Sequence, residues 1–382
     1  MRKRQKIYWK ILRPFVIVFL YIKFGYTFKV ARNLPENFII LSNHNTDFDP
    51  LFVGVSLKDS VRFVASEHIS RWKNAFKFID HIFSPIMRPK GTNAASTVKD
   101  ILRTLRGGDS VCMFAEGARS WNGVTAPVLP STGKMVKSSK TALVTYKITG
   151  GYFVSPLWSK GGTRRGKIHG EVVNIYTAEQ ISRMSVDEIN KIIKNDLHED
   201  AYQRQSVDNN KYCGKHLAEK MESMVYCCPS CKSIDSLYSS GDTVICKECN
   251  DLFVYDKYGN IGGINQKNMK ELFVFLRDKT LDDAKNKVAY FSHNAEIISV
   301  KNHTETVLSS GKLTLSHESV VCGDVKISLD DIIDMAMHGR HALVLSTKDT
   351  YYEILVCEDT SALKFIMLYQ AYKYGCINKF SF

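Results

Sequence analysis

The sequence predicts an α/β layered domain with a mostly parallel sheet, followed by a four-cysteine module and a β-rich C-terminal module. Three observations lead there. Strand-like runs alternate with helix-like stretches from about Phe28 to Ile175, the pattern of strand–helix–strand units. Cys228-x2-Cys231 and Cys246-x2-Cys249 stand fourteen residues apart. From about Lys287 the texture changes to short β stretches closed by one amphipathic helix. At 382 residues the chain is long enough for about two or three domains and for a sizeable core without disulfides. Disordered, collagen-like and disulfide-stapled classes are excluded.

The N-terminal segment, 1–27, is basic and apolar. Residues 1–35 hold nine basic and no acidic side chains around the unbroken apolar run Phe15–Ile22. Eight residues do not span hydrocarbon, which needs about 20, and Lys23-Phe24-Gly25-Tyr26 is not the small-residue site that follows a signal peptide's apolar run. The segment reads as a cationic, aromatic-rich helix lying in a membrane interface; the alternatives are a tilted insertion and a buried first helix with a solvated basic face. Lys and Arg total 52 against 39 Asp and Glu, a net charge of +13. That balance implies an anionic partner: a membrane surface, a phosphorylated substrate or nucleic acid.

The second segment, 28–225, carries strand candidates at 38–41, 61–64, 110–114, 142–146 and 152–154, with a helix over 94–105 between them. Polar helices follow, with Thr177 and Ser185 as expected N-caps. The cysteine module covers 226–262, a connecting helix lies within 263–286, and β stretches fill 287–382 with a last helix near 361–372. Several antiparallel strands closed by one helix give the C-terminal module a pleckstrin-homology-like outline, an analogy of fold alone.

Two strings carry the chemistry. LSNHNTDFDP follows a buried-looking strand. With Pro50 at the first helical position, Asp49 is the expected N-cap and His44 a loop residue. In a second reading, His44 and Asp49 form a hydrogen-bonded dyad, the carboxylate fixing the imidazole so that its other nitrogen takes a proton from a hydroxyl. FAEGARS follows the strand ending at Phe114; Gly117 lets backbone approach a ligand closely, and Arg119 offers a planar donor fork suited to phosphate. Both strings belong to the same sheet edge, where open α/β sheets bind ligands.

Together NHNTDFDP and FAEGARS resemble the phospholipid/glycerol acyltransferase family, 1-acylglycerol-3-phosphate acyltransferases in particular, whose members carry N-H-x4-D and F-P-E-G-T-R-S. Ile86-Met87-Arg88 resembles the family's second block and Val154-Ser155-Pro156-Leu157 its fourth, a strand with a Pro. The departures are Ala115 for Pro, Ala118 for Thr, and Asp80-His81 where Gly is common. The resemblance implies an acyltransferase-type fold and an O-acyltransferase of glycerolipid synthesis at the cytoplasmic face of the membrane, monotopic or peripheral. It moves a fatty acyl chain from acyl-CoA or acyl carrier protein to the sn-2 hydroxyl of lysophosphatidic acid or a similar lysolipid. His44 is then the general base, Asp49 its orienting partner, Arg88 and Arg119 the phosphate holders, and Glu116, beside Gly117, the residue positioning the glycerol. The alternatives are another lysophospholipid or alcohol as acceptor, or a decayed membrane-bound scaffold.

Cys228, Cys231, Cys246 and Cys249 form a zinc-ribbon pattern, two knuckles presenting four thiolates to one structural Zn2+; bacterial members of the family with an appended ribbon are similar. No redox cofactor is expected. The ribbon's charge is nearly balanced, so no nucleic-acid role is expected either. Gly161–Ile168 matches a phosphate-binding P-loop except that Ile168 stands where Ser or Thr binds magnesium. G-x-S-x-G occurs nowhere in the chain, which disfavours a serine hydrolase.

Overall fold

A computed structural model of the chain describes residues 3–66, 69, 73–88, 95–160, 162–301, 304–348 and 350–377. The chain divides into two compact units. The first takes in Met1–Pro156 and Thr163–Cys213, the second Leu157–Gly162 and most of the chain from Gly214 onward.

In the first unit, α1 (Lys3–Phe24) leads through β1 (Tyr26–Phe28) and β2 (Phe38–Ser42) to α2 (Asp49–Ser56), β3 (Arg62–Ser66) and α3 (Lys73–Phe83). Then come β4 (Ile86–Arg88), α4 (Ala95–Arg106), β5 (Val111–Phe114), α5 (Ser131–Ser139), β6 (Ala142–Thr149) and α6 (Gly151–Val154). β7 (Ile168–Tyr176) and the helices α7 (Ala178–Arg183), α8 (Val186–Leu197) and α9 (Ala201–Asp208) complete it. The strands make one sheet in the order β1-β7-β6-β2-β5-β3-β4. The five strands from β6 to β4 are mutually parallel; β7 runs antiparallel to β6.

Sequence and position agree in the sheet centre. Every residue of β2 is buried, as the unbroken run Phe38-Ile39-Ile40-Leu41 requires of a parallel strand covered on both faces. Ile39, Leu41, Val111 and Leu143 meet Ile101 and Leu105 of α4, Val136 of α5 and Ile189, Ile193 and Leu197 of α8 in one core. Thr177 and Ser185 cap α7 and α8, each inside a full capping box.

Several local expectations are corrected. Asp49 is not a cap: Phe48 holds the cap position of α2 and makes no side-chain bond there. The carboxylate turns back into the preceding loop, which offers it more donors than the helix end does. Tyr152-Phe153-Val154 forms the single helical turn α6 rather than a strand, because Gly150 (φ 76°) ends β6 in a left-handed conformation that turns the chain. The block 154–157 therefore holds no strand. β7, whose alternation is weaker, was not legible in the sequence.

α1 is one helix running through Pro14, and it has two faces. Gln5, Trp9, Leu20 and Phe24 are buried, whereas Ile7, Ile11, Phe15, Val18 and Ile22 are exposed, Phe15 to 70%. Their spacing of three and four residues places them on one stripe. Among the described residues no helix is long and apolar enough to cross a membrane.

In the second unit, β8 (Leu237–Ser240), β9 (Thr243–Cys246), β10 (Leu252–Tyr255) and β11 (Ile261–Gly262) make a small antiparallel sheet. α10 (Met269–Lys285) precedes seven antiparallel strands: β12 (Tyr290–Lys301), β13 (Thr304–Leu315), β14 (Ser319–Cys322), β15 (Val325–Ser328), β16 (Asp334–His338), β17 (Ala342–Ser346) and β18 (Tyr351–Val356). Their order is β15-β14-β13-β12-β18-β17-β16. α11 (Ala362–Tyr374) closes the unit, buried on every side from Ala362 to Ala371. Even Lys364 lies inside, its ammonium held by Asp235 and the carbonyl of Phe291, the pairing that a buried charge needs.

Candidate active site

The C-terminal ends of the parallel strands gather the predicted residues of the first unit. His44 lies two residues past β2, Glu116 two past β5 and Arg88 ends β4. β2 and β5 are neighbours, while β4 lies two strands beyond β5. His44 and Asp49 do form a dyad. The Nδ1 of His44 is 2.8 Å from Oδ2 of Asp49, whose side chain is fully buried while that of His44 is 20% exposed. The same Oδ2 accepts the backbone N–H groups of Asn45 (2.5 Å) and Thr46 (2.9 Å), and Oδ1 accepts the Thr46 hydroxyl (2.7 Å). A carboxylate fixed by this many donors presents one lone pair to the imidazole and so selects the tautomer with Nδ1–H. Nε2 then carries the lone pair, with no hydrogen-bond partner among the described residues. Phe114 stacks on the ring at 4.4 Å and 20°, which fixes its plane.

Glu116 is buried beneath the loop. Its Oε1 accepts the N–H of His44 and its Oε2 that of Ala126, both at 2.6 Å. Burial outweighs those two donors and pushes the carboxyl up to about 8, with the nearby Asp49 charge acting in the same direction. Glu116 thus acts on the backbone that carries His44. Gly117 takes φ 75°, a left-handed turn that a side chain would strain, and this turn brings Arg119 back toward β2. The Nε of Arg119 donates to the carbonyl of Asn45 (3.0 Å), Nη1 to Asp47 Oδ2 (3.1 Å), and Nη2 to the carbonyl and hydroxyl of Ser155. Arg88 is exposed and has no partner among the described residues; the residues that follow it, 89–94, lie outside them.

Sequence reasoning missed four participants. Asn43 pairs both ways with the backbone of Ile148, donating to its carbonyl and accepting its N–H, each at 2.8 Å. Thr46 and Phe114 are the others on the dyad, and Asp47 is the one on Arg119. All four lie inside the two strings already singled out, so proximity to His44 was the only signal.

In the second unit Cys228, Cys231, Cys246 and Cys249 bring their sulfurs within 4.8 Å of one another. Two of the Sγ–Sγ distances are 3.8 Å and 3.7 Å. Four thiolates about 2.3 Å from one tetrahedral ion are about 3.8 Å apart, so the cluster fits a metal such as zinc. Among the described residues no carboxylate or imidazole joins the four.

The sequence profile of the acyltransferase family matches residues 26–149. That segment is an acyltransferase-family domain. It spans β1 to β6 and contains His44, Asp49, Arg88, Glu116, Gly117 and Arg119. Among solved structures, the chain is similar to the crystal structure of the 1-acyl-sn-glycerophosphate (LPA) acyltransferase PlsC from Thermotoga maritima. The identity is 19% and the TM-score 0.44, over 52% of this chain and 80% of that one. No curated protein sequence matches the chain at a significant level.

Proposed function

We propose that the acyltransferase domain moves a fatty acyl group from a thioester carrier, acyl-CoA or acyl carrier protein, to a glycerolipid hydroxyl, with the sn-2 hydroxyl of lysophosphatidic acid as the reference acceptor. The observation that carries this reading is the buried, fully hydrogen-bonded Asp49 against Nδ1 of His44, with Nε2 left free at the sheet edge. Nε2 takes the hydroxyl proton as the oxygen attacks the thioester carbonyl. The C–S bond then breaks and the departing thiolate takes the proton from His44. Both substrates meet in one complex, so no acyl-enzyme forms and much of the acceleration comes from holding them together. Arg88 offers its open guanidinium to an acceptor phosphate; Glu116, Gly117 and Arg119 hold the loop that carries the base.

The exposed apolar stripe of α1, with basic side chains at both ends, supports docking in the interface of an anionic membrane, the proposed cytoplasmic-face location. The four-cysteine cluster supports one structural Zn2+ with no open coordination position. Within the second unit we take 226–262 as the ribbon, 263–286 as the connecting helix, and 287–382 as a pleckstrin-homology-like module. The test is a panel of labelled acyl donors against lysophosphatidic acid and other lysolipids, with products identified by mass. Ester formation by the full chain that disappears in His44→Ala supports the reading. No ester with any pair, or equal ester with His44→Ala, refutes it.

A further inference from the structure

The inner face of α1 reaches the catalytic loop. Phe48, between Asp47 and Asp49, holds the cap position of α2 without a side-chain bond, yet its backbone is tied to the dyad. Its N–H donates to the Thr46 hydroxyl (3.0 Å), and that hydroxyl donates in turn to Oδ1 of Asp49 (2.7 Å). Its carbonyl accepts the N–H groups of Leu51 (2.9 Å) and Phe52 (3.1 Å) at the start of α2. Phe48 therefore joins the carboxylate that orients His44 to the first turn of a helix.

The Phe48 ring rests on the last turn of α1. Phe24, fully buried, lies 4.8 Å from it at 57°, and 5.5 Å from the ring of Phe52 at 83°. Phe48 and Phe52 stand one turn apart and share a face, and Phe24 packs against that face. Phe19 lies 6.4 Å from Phe48. Lys23 places its ammonium 5.4 Å from the ring of Phe19, 5.3 Å from that of Phe24 and 4.8 Å from that of Phe48, within reach of a cation–π attraction to each. Contacts outside the loop hold this end of α1: the Nε of Arg165 donates to the carbonyl of Ile22 (3.0 Å), and the N–H of Gly166 to that of Phe24 (3.2 Å). The same turn carries the exposed Ile22, so it presents an apolar side chain outward and an aromatic seat inward.

We propose that Phe48 is a positioning residue for the His44–Asp49 dyad and that Phe24 and Lys23 of α1 are its seat. The proposal rests on the acyl-transfer reading above and adds to it an active-site role for a helix which that reading uses only as an anchor. A ring displaced from the seat carries the Phe48 N–H away from Thr46 and loosens the hold of the Thr46 hydroxyl on Asp49. The carboxylate then turns from Nδ1, and the Nε2–H tautomer, which has no lone pair at the reacting nitrogen, gains population.

The experiment uses the full chain with nitrogen-15-labelled histidine, as wild type and as Phe48→Leu, Phe48→Tyr and Lys23→Gln. The nitrogen shifts of His44, assigned by their loss in His44→Ala, read the tautomer without turnover at a pH where the imidazole is neutral. Kinetics use a short-chain lysophosphatidic acid below its micelle concentration, so that membrane docking does not enter. The wild type holds the Nδ1–H tautomer. Phe48→Leu keeps the apolar burial but not the flat ring; it populates the Nε2–H tautomer and lowers kcat about 10- to 100-fold, the cost of a small misplacement, with KM nearly unchanged. Phe48→Tyr keeps the ring and the wild-type values. Lys23→Gln, at an exposed position, shifts the tautomer the same way and lowers kcat about two- to fivefold, the size of an exposed cation–π contact. Wild-type tautomer and kcat in both Phe48→Leu and Lys23→Gln overturn the proposal, as does a kcat that falls only in step with the folded fraction seen by circular dichroism. If Phe48→Leu does not fold, Lys23→Gln decides alone. A loss seen only with acceptor in vesicles makes α1 an anchor and overturns the proposal as well. If the tautomer shifts as described but the wild type forms no ester with any substrate pair, the acyl-transfer reading fails and the positioning stands. If His44→Ala abolishes ester formation while the tautomer stays unmoved in Phe48→Leu, the reverse holds.

Discussion

Glu116→Gln separates two roles for a residue that sits within both family pattern and active-site loop. The carboxyl is buried and each of its oxygens accepts one backbone N–H, from His44 and from Ala126, at 2.6 Å. A glutamine side chain has one acceptor oxygen and one NH2 donor, so in either orientation an amide donor faces a backbone N–H. Leaving one buried N–H without an acceptor costs about 1–3 kcal/mol. A pH-dependent contribution opposes it. Burial raises the folded-state carboxyl from 4.5 to about 8, so between those values the folded protein holds a proton that the unfolded chain has released. Stability of the wild type therefore falls as pH rises through that window, by about 1.4 kcal/mol per pH unit where the difference is complete. Glutamine has no such dependence. The variant should be less stable than the wild type near pH 5, and the gap should close and then reverse as pH approaches 8, because the wild type loses on the order of 3–5 kcal/mol over that range. Urea unfolding of both proteins from pH 5 to 8.5 measures this, with kcat and acceptor KM taken alongside. Displacement of His44 should lower kcat and leave KM nearly unchanged. Parallel stability profiles, or a raised acceptor KM with full stability, would refute the assignment and return Glu116 to contact with the acceptor.

His44→Ala should lower kcat by about 10²–10⁴ without loss of fold, since the ring is partly exposed and Asp49 keeps three other donors; circular dichroism and turnover check both halves. Replacing Ile11, Phe15 and Ile22 together by Ser should release the protein from anionic vesicles in a flotation assay and leave the thermal midpoint nearly unchanged, because all three side chains face outward; truncation of α1 would instead remove the buried Trp9, Leu20 and Phe24 and destabilise the first unit. Elemental analysis should find one zinc per chain, absent from the Cys228→Ser/Cys231→Ser double variant. Loss of the metal should unfold the ribbon locally, seen as faster amide exchange over 226–262.

The layered fold was legible because its central strands are buried on both faces and read as unbroken apolar runs. β2 and β6 fall where such a run predicts, and the less buried β3 and β5 lie within a residue or two of 61–64 and 110–114. β7 escaped because only two of its nine residues are buried, and β15 and β16 because four- and five-residue edge strands leave too short a period to read. The same physics explains the mistaken strand at 152–154: three apolar residues fit a strand or one buried helical turn equally well, and Gly150 decided between them. The cysteines were legible for the opposite reason, since metal geometry sets their spacing directly. Asp49 shows where reading by local rules stops. Its position one residue before Pro50 fits a helix cap, and only the folded loop makes four donors from 44–46 the better partners.

That loop accounts for why the NHNTDFDP string is so informative about chemistry. Asn43 pairs with both backbone groups of Ile148, Glu116 takes the N–H of His44, and the N–H of Ser120 takes its carbonyl at 2.9 Å. Asp49 takes the next two N–H groups and Arg119 the carbonyl between them. From residue 43 to residue 46 the chain forms neither helix nor strand, yet its polar groups are met by side chains and backbone from α2, β6 and the loop after β5. Buried irregular backbone persists only with such partners, so most of the polar chemistry visible in the two strings serves to hold one imidazole still. Asp47 stands apart from this arrangement: it contributes nothing to the loop's backbone, and its exposed carboxylate spends its only described contact on Arg119. It meets the loop only through Arg119, whose Nε holds the carbonyl of Asn45.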